Sequence, residues 1–539
     1  MTARAGGLSI SYVIAATDVR ISANPPSKSD GLLNFRSEIF VNRLFAPQTG
    51  QTVVRVRGHQ GSDSVSISHA PLKPLPDPIP LKIQSPISSR MIRPLCILFC
   101  SLVCSIRAAE FSIATFEADV TVPIGHGMMG GAWQSTSVAD PLQARGIVLL
   151  GSGKPIIFVS VDWCEIRNDA FDSWRNALAA AAGTDPVRVL LTTIHQHDAP
   201  VADLEAERIL RARKLEGSVC DIEFHEKAVQ RVAQAVRQSL TKSRRFTHLG
   251  MGRAKVEKIA SNRRYLLPDG KPSFDRGSAT RNILAIEAPE GVIDPWLKTL
   301  SFWDGDKPLA ALSGYATHPM SYYRTGAVSA DFPGMARAQR QREMPDVFQV
   351  YFSGCSGNVT AGKYNDGART NRVFLANRLH AAMTAAWKET RREPAGDIAF
   401  RSVAMTLPVR ENGAFTEEEL EKKLAPGTPP FQQCLAAMGM SWRKRNAEKR
   451  PIDVPLIDFG GAQLLLLPGE AYVEYQLAAQ KLRPDSFVLV AGYGEGATGY
   501  IPTEQHWAER DSNLGDWCWV APGAEKLMLE AIQRLLKSK

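Results

Sequence analysis

From Phe111 onward, apolar runs alternate with amphipathic stretches. Residues 113–122, 146–150 and 155–162 read as strands, the last carrying the continuous run Ile156-Ile157-Phe158-Val159 of a buried strand. Residues 168–182 read as a helix that Asn168 can cap and Gly183 stops. Residues 187–193 form a further buried strand, residues 223–240 and 372–389 amphipathic helices, and residues 309–316 and 347–352 core strands that each end in polar residues. Thr416-Glu417-Glu418-Glu419 has the form of a capping box. Residues 426–430 then break the chain, and the basic run 443–450 reads as a solvated helix face. Strands at 454–459, 463–467 and 487–491 precede a helix that follows Gly523. Buried strands alternating with helices predict an α/β fold, with mixed central sheets flanked by helices and chemistry at the strand ends. The sequence shows no internal repeat and no second region of distinct composition.

The first ninety residues differ. They mix Ser, Pro and Arg without a sustained period, as in Pro71-Leu72-Lys73-Pro74-Leu75-Pro76. Met91-Ile92-Arg93-Pro94 and the apolar run 95–104 then lead to Ala108-Ala109. A basic start, a short apolar stretch and small residues form the pattern of a secretory signal. The run is too short to span a bilayer. These features divide the chain into an extension (1–90) outside the native protein or without order, a signal peptide (91–109) starting at Met91, and a functional domain (110–539) that is secreted or periplasmic.

Charge supports the division. The 539 residues carry a net charge of +9, but the excess lies almost wholly ahead of Glu110, leaving 52 basic against 50 acidic residues from Glu110 to the end. A nucleic-acid partner therefore has no electrostatic basis. Export would leave five cysteines with no CxxC pair or zinc-finger spacing, so one or two disulfides are permitted and at least one thiol has no intrachain partner.

Gly151-Ser152-Gly153-Lys154 lacks the spacing of a phosphate loop and reads as a hairpin turn. His195-Gln196-His197 follows a buried strand, and side chains two apart on an extended segment point the same way, as one metal site requires. His318, Glu470 and Tyr500 each follow a buried strand in turn. Four such strand ends suggest one shared site. Two imidazoles and a carboxylate would leave a zinc ion an open position.

At these residues the chain resembles the neutral/alkaline (non-lysosomal) ceramidase family, in colinear blocks from about residue 113 to 535. The blocks include Ala118-Asp119-Val120-Thr121, Ile194-His195-Gln196-His197-Asp198-Ala199-Pro200, Ser261-Asn262-Arg263-Arg264, His318-Pro319-Met320-Ser321, Gly357-Asn358-Val359-Thr360, Leu467-Pro468-Gly469-Glu470 and Thr498-Gly499-Tyr500-Ile501. The resemblance implies the catalytic domain of a zinc amidase that cleaves ceramide or a related N-acyl lipid. His195, His318, Glu470 and Tyr500 would hold one Zn²⁺, His197 would be the general acid/base, and Arg263 would orient or stabilise the reacting carbonyl. Tyr493 and Tyr472 compete with Tyr500 for its role. Thr360 stands where the family has a serine and Asn358 where it has an aspartate, which favours attack by activated water over a covalent route. Asp198 could orient an imidazole. The family's C-terminal β-sandwich has no counterpart in this sequence, which leaves peripheral membrane contact and oligomeric state open. A zinc hydrolase of another amide, such as a small N-acyl amine or a glycan-linked amide, and a non-catalytic extracellular binding protein are the competing readings.

N-terminal sequencing of secreted protein is expected to begin near Glu110; a mature chain retaining residues 1–90 would show that translation does not start at Met91.

Overall fold

A computed structural model describes residues 111–537 and four short strands ahead of them. Those strands form two antiparallel pairs, Thr2–Ala5 with Leu8–Ser11 and Val53–Arg57 with Ser62–Ser66, where the sequence shows no sustained strand period. The rest of the expected extension, and all of the signal-like segment, lie outside the described residues. Residues 105–539 form a unit of their own.

Three sheets in this unit follow one plan. The first sheet contains β1 (Ser112–Asp119), β2 (Gln143–Leu150), β3 (Ile156–Val161) and β4 (Val189–Thr193), with α1 (Asn168–Ala182) between β3 and β4 and α2 (Ile222–Leu240) after them. The second contains β5 (His248–Lys255), β6 (Trp296–Asp304), β7 (Lys307–Tyr315) and β8 (Phe348–Ser353), with α3 (Asp331–Glu343) and α4 (Thr370–Lys388) in the same places. The third contains β9 (Ala399–Met405), β10 (Ile452–Asp458), β11 (Ala462–Leu466) and β12 (Phe487–Ala491), with α5 (Val473–Leu482) and α6 (Ala524–Lys537). In every sheet the first three strands run antiparallel and the fourth is parallel to the third. Short turns join the second and third strands of each sheet, whereas the parallel fourth strand needs a longer crossover, which the helix supplies. In every module the two helices pack together and the second covers the first strand. The internal repeat that is invisible in the sequence is therefore threefold.

The period-two alternation of the strands explains how the modules assemble. Ile156 and Phe158 of β3 join a core shared with Leu300, Phe302, Leu312 and Phe352 of the second sheet and Ile457, Leu464 and Leu489 of the third. Their neighbours Ile157 and Val159 face the other way, into the core that holds Trp174 and Leu178 of α1. Each sheet thus turns one face to a common centre and the other to its own helices. The carboxyl ends of the parallel pairs are where α/β sheets bind ligands.

Several local expectations change. Gly183 ends α1 in the left-handed conformation at φ 67°, as expected. Asn168, however, is not its cap: Arg167 holds that position, and the Asn168 amide donates to Asp203 and Ser441. The basic run 443–450 is not simply a solvated face, because Arg445 is buried and donates to Asp172 and the Pro451 carbonyl. Thr416 does cap its helix, accepting from the Glu419 amide at 3.2 Å. The five cysteines are buried and unbridged. No helix among the described residues is long and apolar enough to cross a membrane.

Arg167 is wholly buried, ion-pairs with Glu165 and Asp203, and donates to the carbonyls of Gly496 and Ala497. Arg167→Ala leaves two buried carboxylates without their cation, so urea unfolding is expected to show a loss of about 3–5 kcal/mol.

Candidate metal centre

The repeat explains how distant residues meet. Three or four residues past the third strand of each module come Cys164, His318 and Glu470; two residues past the fourth come His195, Cys355 and Tyr493. His195 and Tyr493 both adopt left-handed backbone conformations, at φ 73° and 56°, and their rings stack at 4.3 Å between centroids. Such strained backbone persists where the surroundings enforce it.

His195, His318 and Glu470 form a buried cluster whose ligand atoms lie within 4.8 Å of one another. His318 Nδ1 faces the Ser356 carbonyl and His195 Nδ1 faces the Cys164 carbonyl, the latter at 3.0 Å. A carbonyl can only accept, so each Nδ1 carries the proton and each Nε2 presents a lone pair. Both Nε2 atoms point at one oxygen: Glu470 Oε2 lies 2.9 Å from His318 Nε2 and 3.2 Å from His195 Nε2. Three acceptors facing one another in a buried space demand positive charge between them. Protons meet the demand in part. Burial pushes the Glu470 carboxyl up, but His195 and His318 outweigh it and hold it well below the usual carboxylate range. Burial lowers His195, while Cys164 and Glu470 raise it well above its ordinary value. His318 is pushed down to about 4 by burial and the Arg263 guanidinium, so it offers no second proton. A divalent ion answers the same demand without protons, and the two-nitrogen, one-oxygen donor set suits zinc.

Around this set the chain arranges three further groups. Tyr500 pairs with Glu470 in a short parallel bridge, and its hydroxyl accepts from Arg263 Nη1 at 2.8 Å. Arg263 Nη2 reaches His318 Nε2 at 3.3 Å, and the Arg263 backbone amide is held by the Asn358 carbonyl at 2.7 Å. Gly357 passes so close to the Glu470 carbonyl that a Cβ would sit 2.1 Å from it, which accounts for glycine there. His197 borders the set, with its ring centroid 5.3 Å from that of His195. Its Nδ1 is buried and has no hydrogen-bond partner. Burial, reinforced by His195 and His318, holds His197 well below its ordinary value, so it is neutral.

Other sequence candidates point elsewhere. The Thr360 hydroxyl donates to the Gly277 carbonyl at 2.8 Å. The Asn358 amide donates to the Glu474 carboxylate, and its oxygen accepts from the Val473 amide. Asp198 orients no imidazole; its carboxylate accepts from the Thr325 hydroxyl at 2.8 Å and faces Arg372 at 3.9 Å. Sequence reading missed the Cys164 and Ser356 carbonyls that orient the imidazoles, because any residue supplies a carbonyl. It also missed the rim. Tyr323 packs edge-on to His197 at 5.1 Å and against Trp133 at 5.9 Å, and the Arg324 guanidinium lies over both aromatic rings. Tyr323 is 37% exposed, so this stack forms an open edge beside His197, whose Nδ1 has no hydrogen-bond partner.

With this geometry, the chain is similar to a neutral ceramidase from Pseudomonas aeruginosa, with a TM-score of 0.60 and 18% identity over 80% of this chain and 75% of that one. It is also similar to a ceramidase complexed with C2, with a TM-score of 0.58 and 17% identity over 80% and 76% of the two chains. The fold is that of the neutral ceramidases. No family model and no curated protein matches the sequence.

Elemental analysis of purified protein is expected to find about one divalent ion per chain, lost in His318→Ala and Glu470→Gln and kept in Asp198→Asn. Because binding displaces the raised His195 proton, chelator competition should show tighter binding at pH 8 than at pH 6.

Proposed function

We propose that the chain is a zinc-dependent amide hydrolase that cleaves ceramide or a related N-acyl lipid. The observation that carries this reading is the convergence of His195 Nε2 and His318 Nε2 on Glu470 Oε2, with a neutral His197 alongside. The fold shared with ceramidases supports the substrate class. When bound, zinc supplies Lewis acidity for the amide carbonyl and lowers the pKa of a coordinated water.

The chain's own residues do the rest. His197 accepts a proton at its free nitrogen from the attacking water and returns it to the departing amine, which would otherwise leave as an unstable anion. Arg263, permanently cationic and buried, and the Tyr500 hydroxyl beside it stabilise negative charge developing on the carbonyl oxygen. Tyr500 is also the fourth donor of this reading, since its pairing with Glu470 brings it beside the set. Thr360 takes no nucleophilic role, because its hydroxyl is engaged by Gly277. Attack by water follows. An exported enzyme is the compartment this reading implies, from the signal-like segment 91–109.

A second reading, hydrolysis of a smaller or glycan-linked N-acyl amine, draws on the rim. Trp133, Tyr323 and Arg324 offer flat aromatic faces and a cation, which suit a polar ring as well as an acyl chain.

Zinc-loaded protein assayed on ceramide and on short N-acyl amines distinguishes the two. His197→Gln is expected to lower kcat about 10²- to 10⁴-fold with metal content unchanged. Tyr323→Ala and Trp133→Ala should raise KM more than they lower kcat. Bound zinc without turnover on any amide would instead identify a binding protein.

A further inference from the structure

Away from the metal donors, a cleft of about 660 Å³ opens between the first sheet, α3 and the start of β8. Four arginines line it, Arg145, Arg244, Arg337 and Arg342, against two carboxylates, Glu117 and Asp346. Two of the arginines are fixed. Arg145 is buried, donating to the Gln349 carbonyl at 2.8 Å, to Gln341 at 2.7 Å, and to Glu117 and Gln143. Arg337 is buried in a two-point pair with Asp162, at 2.6 and 2.7 Å. These bonds leave donors over, since a guanidinium has five N–H groups. One Nη2 hydrogen of Arg145 and one Nη1 hydrogen of Arg337 have no acceptor among the described residues.

The other two arginines are exposed, and neither the Arg244 nor the Arg342 side chain has an acceptor or an aromatic partner among the described residues. Local charge is therefore unbalanced. Asp162 offsets Arg337 and Glu117 offsets Arg145, which leaves Arg244 and Arg342 facing Asp346 alone. Burial, and after it the neighbouring Arg337, pushes Arg145 down to about 10 against the opposing pull of Glu117 and Asp162. An unpaired surface arginine is ordinary. Two of them over a cleft floored by two fixed, buried guanidinium groups form a preorganised fork arrangement for a tetrahedral oxyanion.

We propose that this cleft binds a phosphate-type oxyanion. The inference is independent of the metal reading, because it uses none of the metal donors. It does touch them at one remove. Asp162, which pairs with Arg337, gives its backbone carbonyl to the side chain of Gln196, the residue between His195 and His197.

The test is calorimetric titration of the full chain with inorganic pyrophosphate at low salt, on wild type and on the double variant Arg244→Ala/Arg342→Ala. Both positions are exposed, so the fold should survive. Binding near one per chain is expected, weakened about tenfold or more in the double variant and weakened by added salt. Arg231→Ala, an exposed arginine on α2, serves as the control and should bind as wild type does. Flotation with phosphatidic acid vesicles, against phosphatidylcholine vesicles, identifies the source. Arginine-dependent flotation that pyrophosphate competes away points to a lipid headgroup, and binding of pyrophosphate alone points to a free oxyanion. The proposal is overturned if neither probe binds, or if the control variant weakens binding as much as the double variant does.

Discussion

Glu470 Oε2 lies at hydrogen-bond distance from the Nε2 atoms of two imidazoles whose Nδ1 protons are turned to backbone carbonyls, and the arrangement around it follows from that contact. Repulsion among three buried acceptors would open the site unless the surrounding structure held them. The Ser356 and Cys164 carbonyls fix the two rings through their Nδ1 protons, and Gly357 permits the backbone of one strand end to lie against Glu470. Backbone acceptors that orient metal-competent histidines from behind are what a metal centre requires. The same contact accounts for the electrostatics: a carboxyl held ionised, one imidazole that readily keeps a proton and two that do not.

The constraint behind the contact is the threefold repeat. Each module runs three antiparallel strands and then crosses over through a helix to a parallel fourth strand. The third and fourth strands therefore end on the same side, and packing the three sheets about a shared apolar core brings six strand ends together. Four of them supply His318, Glu470, His195 and Tyr493, and a fifth supplies the carbonyl of Cys164. Residues more than 270 apart in the chain are neighbours because equivalent positions of equivalent modules converge. Asp198 lies outside the convergence for the same reason: it is beyond the strand end, on a segment that turns away toward Thr325 and Arg372.

Much of the fold was legible residue by residue. Strand and helix positions follow from apolar period, and β12 and the body of α1 fall where the pattern puts them. The repeat was not legible, because it is a repeat of hydrogen-bonding order and connection length. Strand β3 is continuously buried while β9 is half exposed, so the modules share topology without sharing a hydropathy profile. Asn168 does not cap its helix and Arg445 is not solvated, for a related cause. Both residues meet partners from elements far along the chain, Ser441 for one and Asp172 for the other.

The sequence by itself determined which residues could do chemistry: histidines, a glutamate and a tyrosine, each following an apolar strand, where a side chain leaves the core and can meet a ligand, with an arginine added by the family resemblance. It also determined the identity of the donors, since nitrogen and carboxylate oxygen are properties of the residue. Only the tertiary structure decided which of them act on one another. The tautomer of each imidazole depends on which carbonyl lies behind it. Removing Thr360 and Asp198 from the set depends on Gly277 and Thr325, which engage them, and the rim over His197 depends on a loop that brings Tyr323 against Trp133. Hydrogen bonds reach about 3 Å, and burial strengthens Coulomb forces only among groups that the fold has brought together out of water. A chain of this length therefore fixes its chemistry only when it closes on itself.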